Sequence, residues 1–392
     1  MNLNITKYQF AIGLVFGVVI ACSPTKFKPT DSVGGAGCES TDGCVVVSPF
    51  YRQYTDSFEV GAGKVDILFV SDNSASMSPI QAKLKDNFAG FIQNLDSKKI
   101  NYRVAVTTTD LASVNSKKLI TLANGKSYIS SSDADRASLF YSAILRNETL
   151  VCENFIIGMF NSFGVNFQSQ SEYATQYPVK CPSPDTRGIY TSYLAVSENA
   201  DSFMRADANL NVIVISNDEV RQGKLTLEAN DKAENFTAMM QQKYPSKYWD
   251  YNSIIVKDES CKTQQTLKNA QGQVVSNQTG PSVTGGIGYE YAKLSNSAAK
   301  DIDNNPRPRG EILNICEGNF ASHFANMATQ ISSESRTVSL KCSPSQAPTV
   351  TYQNGTTFPN DLYSWSSDKI TFKKGSEGQP VKIQYECYVG VQ

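Results

Sequence analysis

One stretch limits what this chain can fold into more than any other: Val65-Asp66-Ile67-Leu68-Phe69-Val70-Ser71-Asp72-Asn73-Ser74-Ala75-Ser76-Met77. An apolar run this short and continuous predicts a strand buried on both faces, as in a parallel sheet. It stops at an Asp-x-Ser-x-Ser cluster, after which the pattern becomes helical. In an open α/β sheet, ligands bind just beyond the carboxyl ends of such strands. There, one carboxylate and two hydroxyls form a set of hard oxygen donors suited to Mg²⁺ or Mn²⁺. The same residue types also favour a helix N-cap.

The sequence VDILFVSDNSASM resembles the first strand and metal-binding loop of a von Willebrand factor type A domain, whose metal-ion-dependent adhesion site is written DxSxS. Asp72, Ser74 and Ser76 match that motif residue by residue. Ala75 stands where the family usually has Gly. The resemblance implies two further loops. One supplies a Thr just before a helix, for which Thr186 is the best match and Thr191 the runner-up. The other supplies an Asp after the central strand. Asp218 is the match there, but the usual spacing falls on Asn217, so either the loop is one residue longer or Asn217 replaces the carboxylate. Asp110, at the end of a neighbouring strand, is either a rim residue of the same site or a turn residue. The expected cofactor is Mg²⁺ or Mn²⁺. The expected partner is a protein or glycan ligand whose acidic group completes the coordination of the ion.

The rest of the pattern agrees with a doubly wound α/β fold whose sheet is mostly parallel. Residues 80–95 carry Leu84, Phe88, Phe91, Ile92 and Leu95 as a helical stripe. Strands are expected at 102–107, 210–215 and 251–257, and an edge hairpin at 118–122 and 127–130. Helices are expected at 137–158 (interrupted), 189–203, 289–299 and 319–331. Residues 261–288 read as a polar, Gly-rich loop insertion, whose GGIG lacks the strand-then-helix context of a dinucleotide site. From Thr337 the sequence turns to short alternating strands, among them Lys369-Ile-Thr-Phe, separated by signals such as Asn354-Gly355. The expected organisation is a signal segment at 1–22, a flexible tether at 23–63, the α/β domain at 64–334 and a small C-terminal all-β module at 337–392.

Lys7 and the apolar run 10–21, ending in Val19-Ile20-Ala21-Cys22, resemble a bacterial lipoprotein signal. Cys22 would become the lipidated first residue, and Ser23 after it implies sorting to the outer membrane. The remaining eight cysteines, an even number in an exported chain, point to disulfides. The pairing expected from segment boundaries is Cys38–Cys44, Cys152–Cys181, Cys261–Cys316 and Cys342–Cys387. No Cys-x-x-Cys occurs and His323 is the only histidine, which argues against zinc. Lys and Arg total 36 against 37 Asp and Glu, with no basic run, so nucleic acid is not an expected partner. The chain contains no GxSxG or HExxH, and His323 sits in a helical stretch, so the reading is a binding protein rather than an enzyme. A structural or assembly lipoprotein of the envelope is the second reading, favoured by Asn217.

Overall fold

The structure, a computed structural model, describes Cys38 and residues 43–111, 119–199, 202–221 and 225–390. Cys22, the signal segment and most of residues 23–42 lie outside it. Two strands, β1 (Cys44–Ser48) and β2 (Tyr51–Glu59), precede β3 (Lys64–Ser71), the strand predicted from the apolar run. Helix α1 (Ser78–Ser97) and β4 (Asn101–Thr108) follow, then the short β5 (Ile129–Ser130), α2 (Arg136–Ile144), α3 (Asn147–Phe163), α4 (Ser171–Lys180) and α5 (Gly188–Glu198). The chain continues with β6 (Asn209–Ser216), α6 (Ala233–Lys243), β7 (Trp249–Ile255) and α7 (Glu259–Gln264). A small hairpin, β8 (Ser276–Asn277) and β9 (Gly280–Pro281), leads to α8 (Tyr289–Ser295). A second, β10 (Ala298–Lys300) and β11 (Pro306–Pro308), leads to β12 (Ile312–Asn314) and α9 (Ala321–Glu334).

The central sheet has the order β12-β7-β6-β3-β4-β5 and is parallel except for β5. The fold class is therefore α/β with a mostly parallel, doubly wound sheet, and alternation along β3 shows why. Ile67 and Phe69 face a core shared with Leu84, Phe88 and Phe91 of α1, Phe140 of α2 and Phe324 of α9. Leu68 and Val70 face the other core, with Ile189 of α5, Phe236 of α6 and Leu294 of α8. A strand covered on both sides needs apolar residues on both faces, as at Ile67–Val70; Asp66, fully buried in the same strand, is paired with Arg205 at 2.7 Å. Phe69 alone has the rings of Phe88, Phe91, Phe140 and Phe324 around it, at centroid distances of 5.0 to 6.5 Å. From β3 the chain runs outward to β4 and β5, then returns to place β6 on the opposite side of β3. The winding reverses between β3 and β6, and such a reversal opens a crevice at the carboxyl ends of the two strands.

Residues 43–63 depart from the flexible tether expected over 23–63. Within them, β1 and β2 belong to a four-stranded antiparallel sheet, β1-β2-β17-β14, completed by β14 (Thr349–Tyr352) and β17 (Pro380–Tyr388). A three-stranded sheet of β13 (Thr337–Ser339), β16 (Lys369–Phe372) and β15 (Tyr363–Ser366) lies with it. Val60, Val350, Phe358, Ile370, Phe372, Val381 and Ile383 form the core, against which Tyr54 and Phe58 of β2 pack. The β module is thus built from both sides of the α/β domain in sequence. Only one face of β2 is covered, so its sequence, YRQYTDSFE, is mostly polar and has the composition of a linker. All four expected disulfides are present: Cys38–Cys44, Cys152–Cys181, Cys261–Cys316 and Cys342–Cys387. Among the described residues no helix is long and apolar enough to cross a membrane.

This construction predicts that a chain starting at Lys64 loses the integrity of its β module, because β17 loses the partner that pairs with it from Tyr51 to Glu59. Limited proteolysis of the truncated protein should cut beyond Thr337 at protease levels that leave the full chain intact. Equal resistance in the two proteins would contradict the assignment.

Candidate functional site: three loops at the carboxyl edge of the sheet

Asp72 is the first residue beyond β3 and is only 1% exposed. Its backbone N–H donates to the Ile215 carbonyl at 2.8 Å, which keeps the loop zipped to β6 past the end of the strand. Its carboxylate spans the crevice. Oδ1 accepts from the Ser74 N–H at 2.8 Å, and Oδ2 accepts from the Ser216 hydroxyl at 2.6 Å. Ser76 Oγ accepts from Asn217 Nδ2 at 2.9 Å. The first and third loops therefore meet side chain to side chain, as the β3–β6 register requires.

The second loop comes from the strap between α4 and α5. Thr186 is buried and forms an isolated bridge with Asp110, beyond β4. Its carbonyl accepts from the Arg221 N–H at 2.8 Å, and the next residue's N–H donates to the Thr109 carbonyl at 2.9 Å. The Arg187 side chain is anchored on Asp231, with both contacts at 2.8 Å. The Thr186 side chain faces the Asp218 carboxylate and favours its charged form. The sequence match to Asp72, Ser74, Ser76, Thr186 and Asp218 thus corresponds to side chains gathered around one crevice, with Asp110 on its rim. Thr191 is elsewhere: it lies inside α5, where its hydroxyl donates to the Arg187 and Gly188 carbonyls. His323 is also elsewhere, with Nε2 2.6 Å from Glu317 Oε2.

In the third loop, Asn217 meets the first loop through its amide, and Asp218 is the neighbour of Thr186 in the second. A glycine makes room for this arrangement. The Gly286 N–H donates to the Asn217 carbonyl at 2.8 Å, and a Cβ on Gly285 would stand 2.7 Å from that oxygen. The GGIG stretch of the insertion therefore serves as a close-packing surface for the third loop. Glu219 continues the contact, accepting N–H bonds from Tyr289 and Glu290 at the start of α8. Burial pushes its carboxyl up to about 7 despite those bonds.

The electrostatics are unfavourable as they stand. Burial raises the Asp72 carboxyl above its usual range; bonds from Ser216 and Ser74 oppose that rise, and the charge of Asp110 adds to it. Asp218 is raised further, first by burial and then by the charge of Asp72. Two oxygens, Ser74 Oγ and Asn217 Oδ1, are buried without any hydrogen-bond partner. Unsatisfied buried acceptors next to two carboxylates are costly in a bare protein. The same arrangement is a fitting donor set for a hard divalent cation. Among the described residues no three His, Cys, Asp or Glu side chains gather as a metal-holding group. Neutral oxygens must therefore make up most of any coordination here.

Clefts open on either side. One of about 790 Å³ is lined by Asn73, Asp110, Arg146, Glu148 and Tyr177 among others. One of about 380 Å³ is lined by Ser76, Lys83, Glu153 and Gln264 among others.

No family profile matches the chain, and no curated protein matches it by sequence. Among solved structures it is similar to a von Willebrand factor type A protein from Catenulispora acidiphila, with 10% identity and a TM-score of 0.37 over 90% of this chain and 67% of that one. It is also similar to the open conformation of the pilus adhesin SpaC from Lactobacillus rhamnosus GG, with 10% identity and a TM-score of 0.34 over 88% of this chain. This chain spans 44% of that adhesin's length. A third is proximal thread matrix protein 1 from the mussel byssus, with 11% identity and a TM-score of 0.30 over 71% of this chain and 47% of that one. Overlaps this loose carry no functional argument, which rests on the site itself.

The facing carboxylates make a specific prediction. Asp218→Asn keeps a polar oxygen facing Thr186 and removes one of two mutually repelling charges. Denaturant unfolding in EDTA should show the variant more stable than wild type by roughly 1 kcal/mol. A variant of equal or lower stability would contradict the repulsion.

Proposed function

We propose that this protein is a non-enzymatic binding protein of the bacterial cell envelope, tethered through a lipidated Cys22 at the outer membrane. It captures a protein or glycan ligand through a divalent cation. Asp72, Ser74, Ser76, Thr186 and Asp218 hold the ion, Mg²⁺ or Mn²⁺, and Asn217 Oδ1 adds a neutral donor. A bound ion supplies an open, electropositive position for an acidic group of the partner. The observation that carries this reading is the pair of buried, unpartnered oxygens, Ser74 Oγ and Asn217 Oδ1, on the two loops that meet beside Asp72. Two carboxylates with several neutral oxygens is a composition that Mg²⁺ accepts.

Calorimetric titration of Mg²⁺ and Mn²⁺ into the purified protein tests it. One saturable site, lost in Asp72→Ala, is the expected result. Absence of binding in wild type would leave the second reading, a structural or assembly lipoprotein of the envelope that keeps the fold without the ion. That reading draws on one feature: the Asn217 amide nitrogen is turned toward Ser76 Oγ, where a carboxylate would carry negative charge.

The tether has its own test. Cys22→Ser should move the protein out of the membrane pellet. Retention in the pellet would contradict lipid anchoring.

A further inference from the structure

The loop that carries Asp72, Ser74 and Ser76 is gripped by residues that take no part in the donor set. Gln81, on α1, is buried. Its Nε2 donates to the Asp72 carbonyl at 3.1 Å and to Thr149 Oγ1 at 3.1 Å, while its Oε1 accepts from the Arg146 N–H at 3.1 Å. Thr149, in the first turn of α3, is fully buried and donates its hydroxyl to the Asn73 carbonyl at 2.8 Å. Two successive backbone carbonyls of the loop are thus fixed by one side-chain pair. A third contact is apolar: the Ala75 methyl packs in a cluster with Cys152, Phe155, Ile156, Leu267 and Val275. The same helix α3 is joined through Cys152–Cys181 to the strap that delivers Thr186. The segment between β5 and α5, which carries α3 and α4, therefore holds two of the three loops.

The grip opposes a definite force. Without a cation, the Asp72 and Asp218 charges repel across the crevice, and a free loop would relax away from β6. Holding donors in place before the ion arrives removes a reorganisation cost from binding, as groups behind metal ligands commonly do. We infer that Gln81 and Thr149 are positioning residues of the cation site, fixing the carbonyls of Asp72 and Asn73 so that the donors stay gathered when the site is empty. This rests on the divalent-cation reading given above. It also explains Ala75: the methyl has an apolar socket under the insertion, so the loop is pinned where a glycine would leave it free.

The experiment is Mg²⁺ titration by calorimetry on Gln81→Met, Thr149→Val and Thr149→Ser, with thermal unfolding in EDTA as a check of the fold. Gln81→Met and Thr149→Val keep side-chain volume and remove the polar contacts. Each should weaken Mg²⁺ binding about tenfold or more. Thr149→Ser, which keeps the hydroxyl, should bind as wild type does, a rescue that packing alone would not give. Folded Met and Val variants with wild-type affinity would overturn the inference and leave the cation site standing. A wild-type protein that binds no Mg²⁺ would overturn both. The two isosteric changes lie on different helices, so either one that folds decides the outcome.

Discussion

The structure depends on the junction between β3 and β6. These strands are adjacent in space although 144 positions separate Asp72 from Ser216, which meet where the strands end. Their pairing sets the register from Val65–Asn209 to Ser71–Ile215, and the Asp72 N–H extends it by one more bond. Because the winding reverses here, no connecting helix covers the carboxyl end, and the loops after the two strands face each other across a crevice. A change of register by one residue would turn Asp72 away from Ser216 and Ser76 away from Asn217. The geometry of the site is therefore a consequence of strand pairing, which apolar cores enclose on both faces of the sheet.

Those cores also carry a local burden. Two carboxylates and two unpartnered oxygens are held at the carboxyl edge, where burial disfavours charge. Such a cluster persists only where the surrounding packing over-determines it. Here that packing comes from the ring cluster around Phe69 beneath the site and from the Ala75–Cys152–Phe155 cluster above it. Local instability at the donors and rigidity around them have the same physical origin. The same combination allows an empty site to keep its shape.

The parts of this molecule readable from sequence are those in which local pattern and final environment coincide. Residues Ile67–Val70 and Val212–Ile215 are apolar throughout because both faces of the sheet are covered. Leu84, Phe88 and Phe91 repeat at helical spacing because α1 buries one face. Asp72, Ser74 and Ser76 are adjacent, so their clustering needed no tertiary information. Other elements carry no such signature. Helix α4 buries no residue and contains Pro178, so it lacks both an apolar stripe and a helix-like composition. Strand β12 is short and lies at the sheet edge. Strand β2 reads as linker because only Tyr54 and Phe58 of its side chains reach a core. The roles of Gln81 and Thr149 appear only when α1 and α3 are packed against the loop after β3. The preference for Thr186 over Thr191 was legible from its place just before the helix, and Thr191 spends its hydroxyl inside α5.

The central claim is that the three loops form a cation site, and the most direct measurement locates the ion. Crystals grown with Mn²⁺ and measured for its anomalous scattering should show one strong difference peak within bonding distance of oxygens from Ser74 and Ser76, in the crevice bounded by Asp72, Thr186 and Asp218. A crevice without a peak, in crystals where Mn²⁺ is seen elsewhere or nowhere, would contradict the account.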